Sequence, residues 1–232
     1  DDFIDAGAGN DTVVMSLDID VNDSVVGGLG NDTLVVSDCE SNDLDHVTGF
    51  ETIVIEDSNS TLTTTDTLVD AGKILYVDAH GLAEGHSLVF NGSAETDGMF
   101  IIEGGAGDDT ITGGDLGDTI LTGGGNDTIH AGAGADFVSV SLLGSTTLFT
   151  GLLDGGTGAN ALGVSNEDPM AMQPATANLT GGTVQNFQAI RFGAGVNLML
   201  TATQAAGITS VTGGGLQGDM TLYGRDILTV LG

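Results

Sequence analysis

The sequence predicts an all-β chain wound as a right-handed parallel β-roll or β-solenoid, with glycine-rich loops along its edges. Three observations lead there. Residues 104–139 divide into four consecutive blocks of nine, GGAGDDTIT, GGDLGDTIL, TGGGNDTIH and AGAGADFVS, with no residue inserted or lost. The chain has 39 glycines, no tryptophan and only 4% aromatic residues, poor material for a globular core but suited to stacked aliphatic ladders. The hydrophobic residues, 40% of the chain, fall in many short β-rich runs. The one helical signal is a short turn near Ala202–Ala206, which Thr201 to Thr203 would cap.

Within the blocks the sixth place is always Asp (Asp109, Asp118, Asp127, Asp136) and the eighth always aliphatic (Ile111, Ile120, Ile129, Val138). Glycines allow the positive φ that a tight turn needs. The three-residue tail alternates polar and apolar, so one side chain points inward. A turn and a short strand repeated in this way wind into a parallel solenoid, two blocks to a coil. Equivalent residues of successive coils then stack about 4.8 Å apart. Asp109 is expected over Asp127, and Asp118 over Asp136. Stacked carboxylates repel unless a cation sits between them, and glycine-turn carbonyls add the hard oxygens that Ca²⁺ prefers.

This pattern resembles the GGxGxDxUx nonapeptide of the RTX, or hemolysin-type calcium-binding, family. Single copies recur at 6–14, 27–35 and 155–163. Leu116 departs from the fourth-place glycine, Thr122 and Ala131 from the first, and Asn160 from the Asp; the Asn160 loop is expected to be metal-poor. The resemblance implies that each ion takes Asp side chains and turn carbonyls from two stacked loops. The first such site joins 105–109 to 122–127, with Asp109, Asp127, Gly105, Gly107 and Gly124. The second joins 114–118 to 131–136, with Asp118, Asp136, Gly114 and Ala133. By analogy Asp11 and Asp32 form another, provided that 15–26 loops out, because their spacing is wider than two blocks. Asp2 belongs to a partial block that aligns with Asp127. The remaining acids, Asp5, Asp18, Asp20, Asp23, Asp38, Glu40, Asp43 and Asp45, either build irregular calcium sites or solvate a face.

Three Lys plus Arg stand against 33 Asp plus Glu, a formal net charge of −30. Without counter-cations such a chain repels itself. No basic patch exists for nucleic acid or an anionic membrane, and no apolar run reaches the length of a membrane span. Cys39 is the only cysteine, which excludes an internal disulfide and leaves metal ions as the staple; it reads as a small structural residue.

The chain is also internally duplicated. Residues 2–16 match 127–141, 27–38 match 155–166, and 47–55 echo 184–192. Ala71-Gly72 and Ala206-Gly207 each precede a β-like run. The expected units are 1–103, a partial β-roll plus irregular solenoid, and 104–232, the calcium array followed by irregular solenoid. The strand candidates 74–77, 87–90 and 99–102 read as successive coils of a wider solenoid. The end of the chain resembles 99–104, so both ends are expected to be cut from a longer repeating protein. Residues 166–174, which hold both prolines, read as a protruding insertion.

Catalytic patterns are missing: there is no GxSxG turn and no HExxH. Although His80 and His86 flank Glu84 with Asp78 nearby, as a transition-metal cluster would, the histidines His46, His80, His86 and His130 read better as exposed loop residues. The expectation is a non-enzymatic, calcium-binding structural protein of the bacterial cell surface: a surface-layer, adhesin or matrix-fibre segment that folds and assembles on extracellular Ca²⁺. Its partners would be further copies of itself in a lattice or filament, a tandem continuation of the chain, or cell-surface polysaccharide. The resemblance implies type I secretion from a Gram-negative bacterium. The alternative is the secretion and folding domain of an exported hydrolase. Ice or sugar binding is disfavoured, for want of a threonine ladder or exposed aromatics.

Overall fold

The computed structural model describes residues 2–16, 19–56, 58–142, 147–166, 175–193, 196–213 and 227–231. Asp18 and residues 167–174, with Asp168-Pro169 and Pro174, lie outside them. Among the described residues every strand pairing is parallel, and the only helix is Ala202–Ala205. The architecture is a β-solenoid of about nine turns.

A ten-stranded sheet forms the spine. Its strands are Thr12–Ser16, Thr33–Ser37, Thr52–Ile55, Ile74–Asp78, Met99–Glu103, Thr119–Leu121, Phe137–Leu142, Ala161–Asn166, Ala189–Phe192 and Ser210–Gly213. It runs through the 103/104 boundary without a break, because Met99–Glu103 pairs with Thr119–Leu121. The opposite face is a three-stranded sheet (Phe3–Asp5, Ser24–Val26, Val47–Thr48) followed by a six-stranded one. The six strands are Ser60–Thr63, Leu88–Asn91, Thr110–Thr112, Thr128–His130, Leu152–Asp154 and Thr183–Gln185.

The eighth-place aliphatics explain this stacking. Ile102, Ile120, Val138, Leu162 and Ile190 are register partners in successive spine strands, and all are fully buried. Phe90, Ile111, Ile129 and Leu153 form the matching column opposite. Burying one such side chain stabilises the coil by roughly 1.5–3 kcal/mol. Phe90 and Phe100 bridge the two faces edge to face, with centroids 5.1 Å apart.

Beyond Phe137–Leu142 the cross-section changes. A four-stranded sheet of Thr147–Leu148, Ala175–Asn178, Val196–Thr201 and Ile227–Leu231 enters between the two faces. Each turn now visits three sheets, until the helix replaces a strand of the six-stranded sheet. Thr201 caps that helix, exchanging hydrogen bonds with Gln204 as the sequence anticipates.

Three expectations are corrected. The strands at 74–78, 88–91 and 99–103 alternate between opposite sheets, so their spacing marks half-coils and not whole coils. Ile227–Leu231 pairs with Val196–Thr201 in the four-stranded sheet, whereas Met99–Glu103 lies in the spine; the likeness between the two segments is not positional. The glycine argument also divides. Gly123, Gly125, Gly132 and Gly134 have positive φ, but Gly113 does not. A Cβ on Gly113 would lie 2.2 Å from the Ala131 carbonyl oxygen, so close approach of the next coil requires that glycine.

Candidate metal centre

The chain crosses between sheets along two edges. One edge carries the loops 104–109 and 122–127. The other carries 6–11, 27–32, 113–118, 131–136 and 155–160. In each loop the sixth residue stands directly before a strand, and parallel pairing brings it over its equivalent in the next coil.

Hydrogen bonds tie these residues into ladders. The Asp109 N–H donates to Asp127 Oδ1 at 3.0 Å, across a separation of 18 residues. On the other edge the Asp118 N–H donates to Asp136 Oδ1 at 2.8 Å, and the Asp136 N–H to Asn160 Oδ1 at 2.9 Å. The Asn160 N–H continues to Gln188 Oε1 at 2.7 Å. Asp11 and Asp32 stack in the same way, at 2.8 Å, despite a separation of 21 residues. The extra residues are taken up on the opposite edge, where Asp2 donates through its N–H to Asp23 Oδ1 at 2.7 Å. The structure therefore joins Asp2 to Asp23, one of the acids that the sequence left without a definite role. Glu51 was not singled out at all, yet its Oε2 accepts the Asp32 N–H at 2.7 Å. The signal was available: Glu51 stands immediately before Thr52–Ile55, as each ladder Asp stands before its strand.

The ladder carboxylates are inside the protein. Asp109, Asp118, Asp127 and Asp136 are 1–2% exposed, and Asp32 is fully buried. Each oxygen of Asp109 has one partner, Oδ1 accepting from the Leu88 N–H and Oδ2 from the Gly105 N–H, which leaves a further lone pair on each. Asp118 is bonded in the same way by the Phe100 and Gly114 N–H groups. Asp127 Oδ2, Asp136 Oδ2, Asp11 Oδ2 and Asp32 Oδ2 are buried without a hydrogen-bond partner. An unsatisfied buried acceptor costs about 1–3 kcal/mol, and more when it is charged. Burial pushes Asp109 and Asp118 up to about 6. Asp127 and Asp136 rise to about 7, from burial and then from the charge of the Asp stacked on each.

These orphaned oxygens fit a hard cation. Stacked loops supply anionic oxygen in pairs, and their glycine turns carry backbone carbonyls as well. Gly105 O and Gly114 O already accept the Gly124 and Ala133 N–H groups, both at 2.9 Å. Each carbonyl keeps a second lone pair for a metal. Gly107 lies against the preceding coil, where an added Cβ would meet His86 O at 1.9 Å. Asn160 gives an internal contrast. Its Oδ1 keeps the ladder bond, but its Nδ2 donates to the carbonyls of Gly155 and Asn186. An amide there brings a donor in place of an anionic oxygen, and that donor occupies two backbone carbonyls.

The histidines stand apart from these ladders. His80 is exposed and pairs with Asp78, whose hydrogen bond raises its pKa. His130 faces solvent, 3.8 Å from Asp154. Cys39 is buried, and burial followed by the charges of Asp43 and Asp38 pushes its thiol up to about 12, as suits a structural residue.

Comparison with known families matches the RTX calcium-binding nonapeptide repeat in four copies, at residues 1–21, 22–34, 101–115 and 112–141. These segments carry RTX nonapeptide repeats, a calcium-binding type of repeat. Among the described residues, the aspartates with an orphaned oxygen all fall within the matched segments, whereas the Asn160 block falls outside them. No curated protein and no solved structure matches the chain. Among the described residues no helix is long and apolar enough to cross a membrane.

Proposed function

We propose that this chain is a segment of a non-enzymatic structural protein of the bacterial cell surface, a surface-layer, adhesin or matrix-fibre element that folds and assembles on extracellular Ca²⁺. The observation that carries this reading is the set of buried, orphaned carboxylate oxygens at Asp11, Asp32, Asp127 and Asp136 in stacked loops. Such loops hold together when Ca²⁺ replaces the missing partner and cancels the stacked charge. When bound, the ion supplies positive charge and six to eight coordination positions for oxygen. The chain supplies the Asp oxygens and the carbonyls of Gly105, Gly107, Gly114, Gly124 and Ala133. Affinity in the range of extracellular modules, on the order of 10⁻⁴–10⁻³ M, leaves the chain unfolded in a low-calcium cytosol. It then passes through a type I channel of a Gram-negative cell and folds outside. Duplicated coils along one continuous spine favour a repeating structural role, with further copies of the chain or surface polysaccharide as partners.

Light scattering during a calcium titration tests the assembly. Ordered particles of higher mass appearing with Ca²⁺ but not Mg²⁺ are expected. A folded monomer at saturating calcium would instead favour the secretion and folding domain of an exported hydrolase.

A further inference from the structure

The loops 92–98 and 64–73 lie on the same edge as 113–118 and 131–136, respectively one and two coils before 113–118, and neither contains a nonapeptide. They are tied to each other and to the array. The Thr96 N–H and hydroxyl both donate to Asp66 Oδ1, at 3.0 and 2.7 Å. The Gly72 N–H donates to Asp97 O at 2.7 Å, and the Asp115 N–H to Glu95 O at 3.0 Å.

Three carboxylates converge there. A carboxylate oxygen from each of Asp66, Glu95 and Asp97 lies within 4.8 Å of one from each of the others. Asp66 and Asp97 are exposed, but Glu95 is fully buried. Glu95 Oε1 accepts the Gly98 N–H at 2.7 Å and the Asp97 N–H at 3.2 Å. Its other oxygen, Oε2, is buried and has no hydrogen-bond partner. No Lys or Arg pairs with the cluster among the described residues. A buried carboxylate left half-satisfied beside two further acids is costly.

We propose that Asp66, Glu95 and Asp97 form a divalent-cation site, filled by Ca²⁺, that lies outside every nonapeptide and fastens the irregular coils to the regular array. The choice of Ca²⁺ rests on the reading above; the site itself rests on Glu95. The convergence suits the ion, since oxygens 2.3–2.6 Å from Ca²⁺ sit up to about 5 Å from each other. Water reaches the exposed Asp66 and Asp97 side and completes the shell. Three carboxylates on irregular loops favour Ca²⁺ over Mg²⁺, which dehydrates reluctantly and demands near-ideal octahedral geometry.

Equilibrium dialysis of the whole chain with radioactive Ca²⁺ counts the ions. Asp66→Asn combined with Asp97→Asn keeps the Thr96 contacts and removes two anionic ligands. The count is expected to fall by about one ion per chain, with the calcium-saturated circular dichroism spectrum unchanged. Asp97→Asn alone, at an exposed position, serves as the second variant should the pair fail to fold, and is expected to weaken the same ion at least tenfold. An unchanged count and affinity in a folded variant would overturn this site and leave the array intact. A wild-type chain that binds no Ca²⁺ would overturn the proposed function as well, so the two failures are distinguishable.

Discussion

Asp127 and Asp136 carry the clearest chemical signature of the molecule. Each gives one oxygen to the N–H of the coil before it and keeps a second, buried one without a full hydrogen bond, Asp127 having only the Thr122 side chain beside it. Protons and Ca²⁺ therefore compete for the same atoms. In the metal-free chain the folded-state pKa values of about 6 to 7 lie above the unfolded value of 3.8. The folded state then binds more protons than the unfolded one between pH 4 and 7. Stability from these groups is fully present below pH 4 and is lost as pH rises through 6 to 7. Chelated protein is thus expected to gain β-structure on acidification from pH 7.5 to 5, read by far-UV circular dichroism. Calcium binding near pH 7 should release protons, read by a pH indicator in weak buffer.

At the scale of the element, the two-block coil was legible because its signal is local. A fixed sixth-place Asp and eighth-place aliphatic give both the edge ladders and the inner columns. Ile120 lies in the middle of the spine column, with Ile102 and Val138 as register partners. Ile120→Ala is expected to lower the stability of the calcium-saturated protein by about 2–5 kcal/mol, measured by thermal or urea unfolding. What escaped the sequence is non-local. Gln188 stands at a ladder position without a glycine-rich loop to announce it, and Glu51 is announced only by its place before a strand. Glu95 becomes significant only because coil stacking brings Asp66 beside it. The half-coil spacing of 74–103 is not legible in the sequence, because alternation between two sheets leaves no mark in an apolar run. The third face after Phe137–Leu142 was likewise invisible, since it adds strands of ordinary composition between the anchors that the sequence did supply.

At the scale of the whole molecule, a formal charge of −30 is wound around continuous aliphatic columns. The columns favour the solenoid, while the edge carboxylates oppose it until a cation arrives. The spine continues through regular and irregular turns alike, so loss of the edge ions should loosen many coils together. Folding is accordingly expected to be cooperative in calcium, and not confined to the four regular blocks. The most direct measurement is far-UV circular dichroism of the chelator-treated chain at pH 7.5 during a calcium titration, with magnesium as the control. The predicted result is a largely unfolded spectrum in chelator that changes cooperatively to β-structure with Ca²⁺ and not with Mg²⁺. A chain with its full β-spectrum in chelator would contradict the claim that calcium drives the fold.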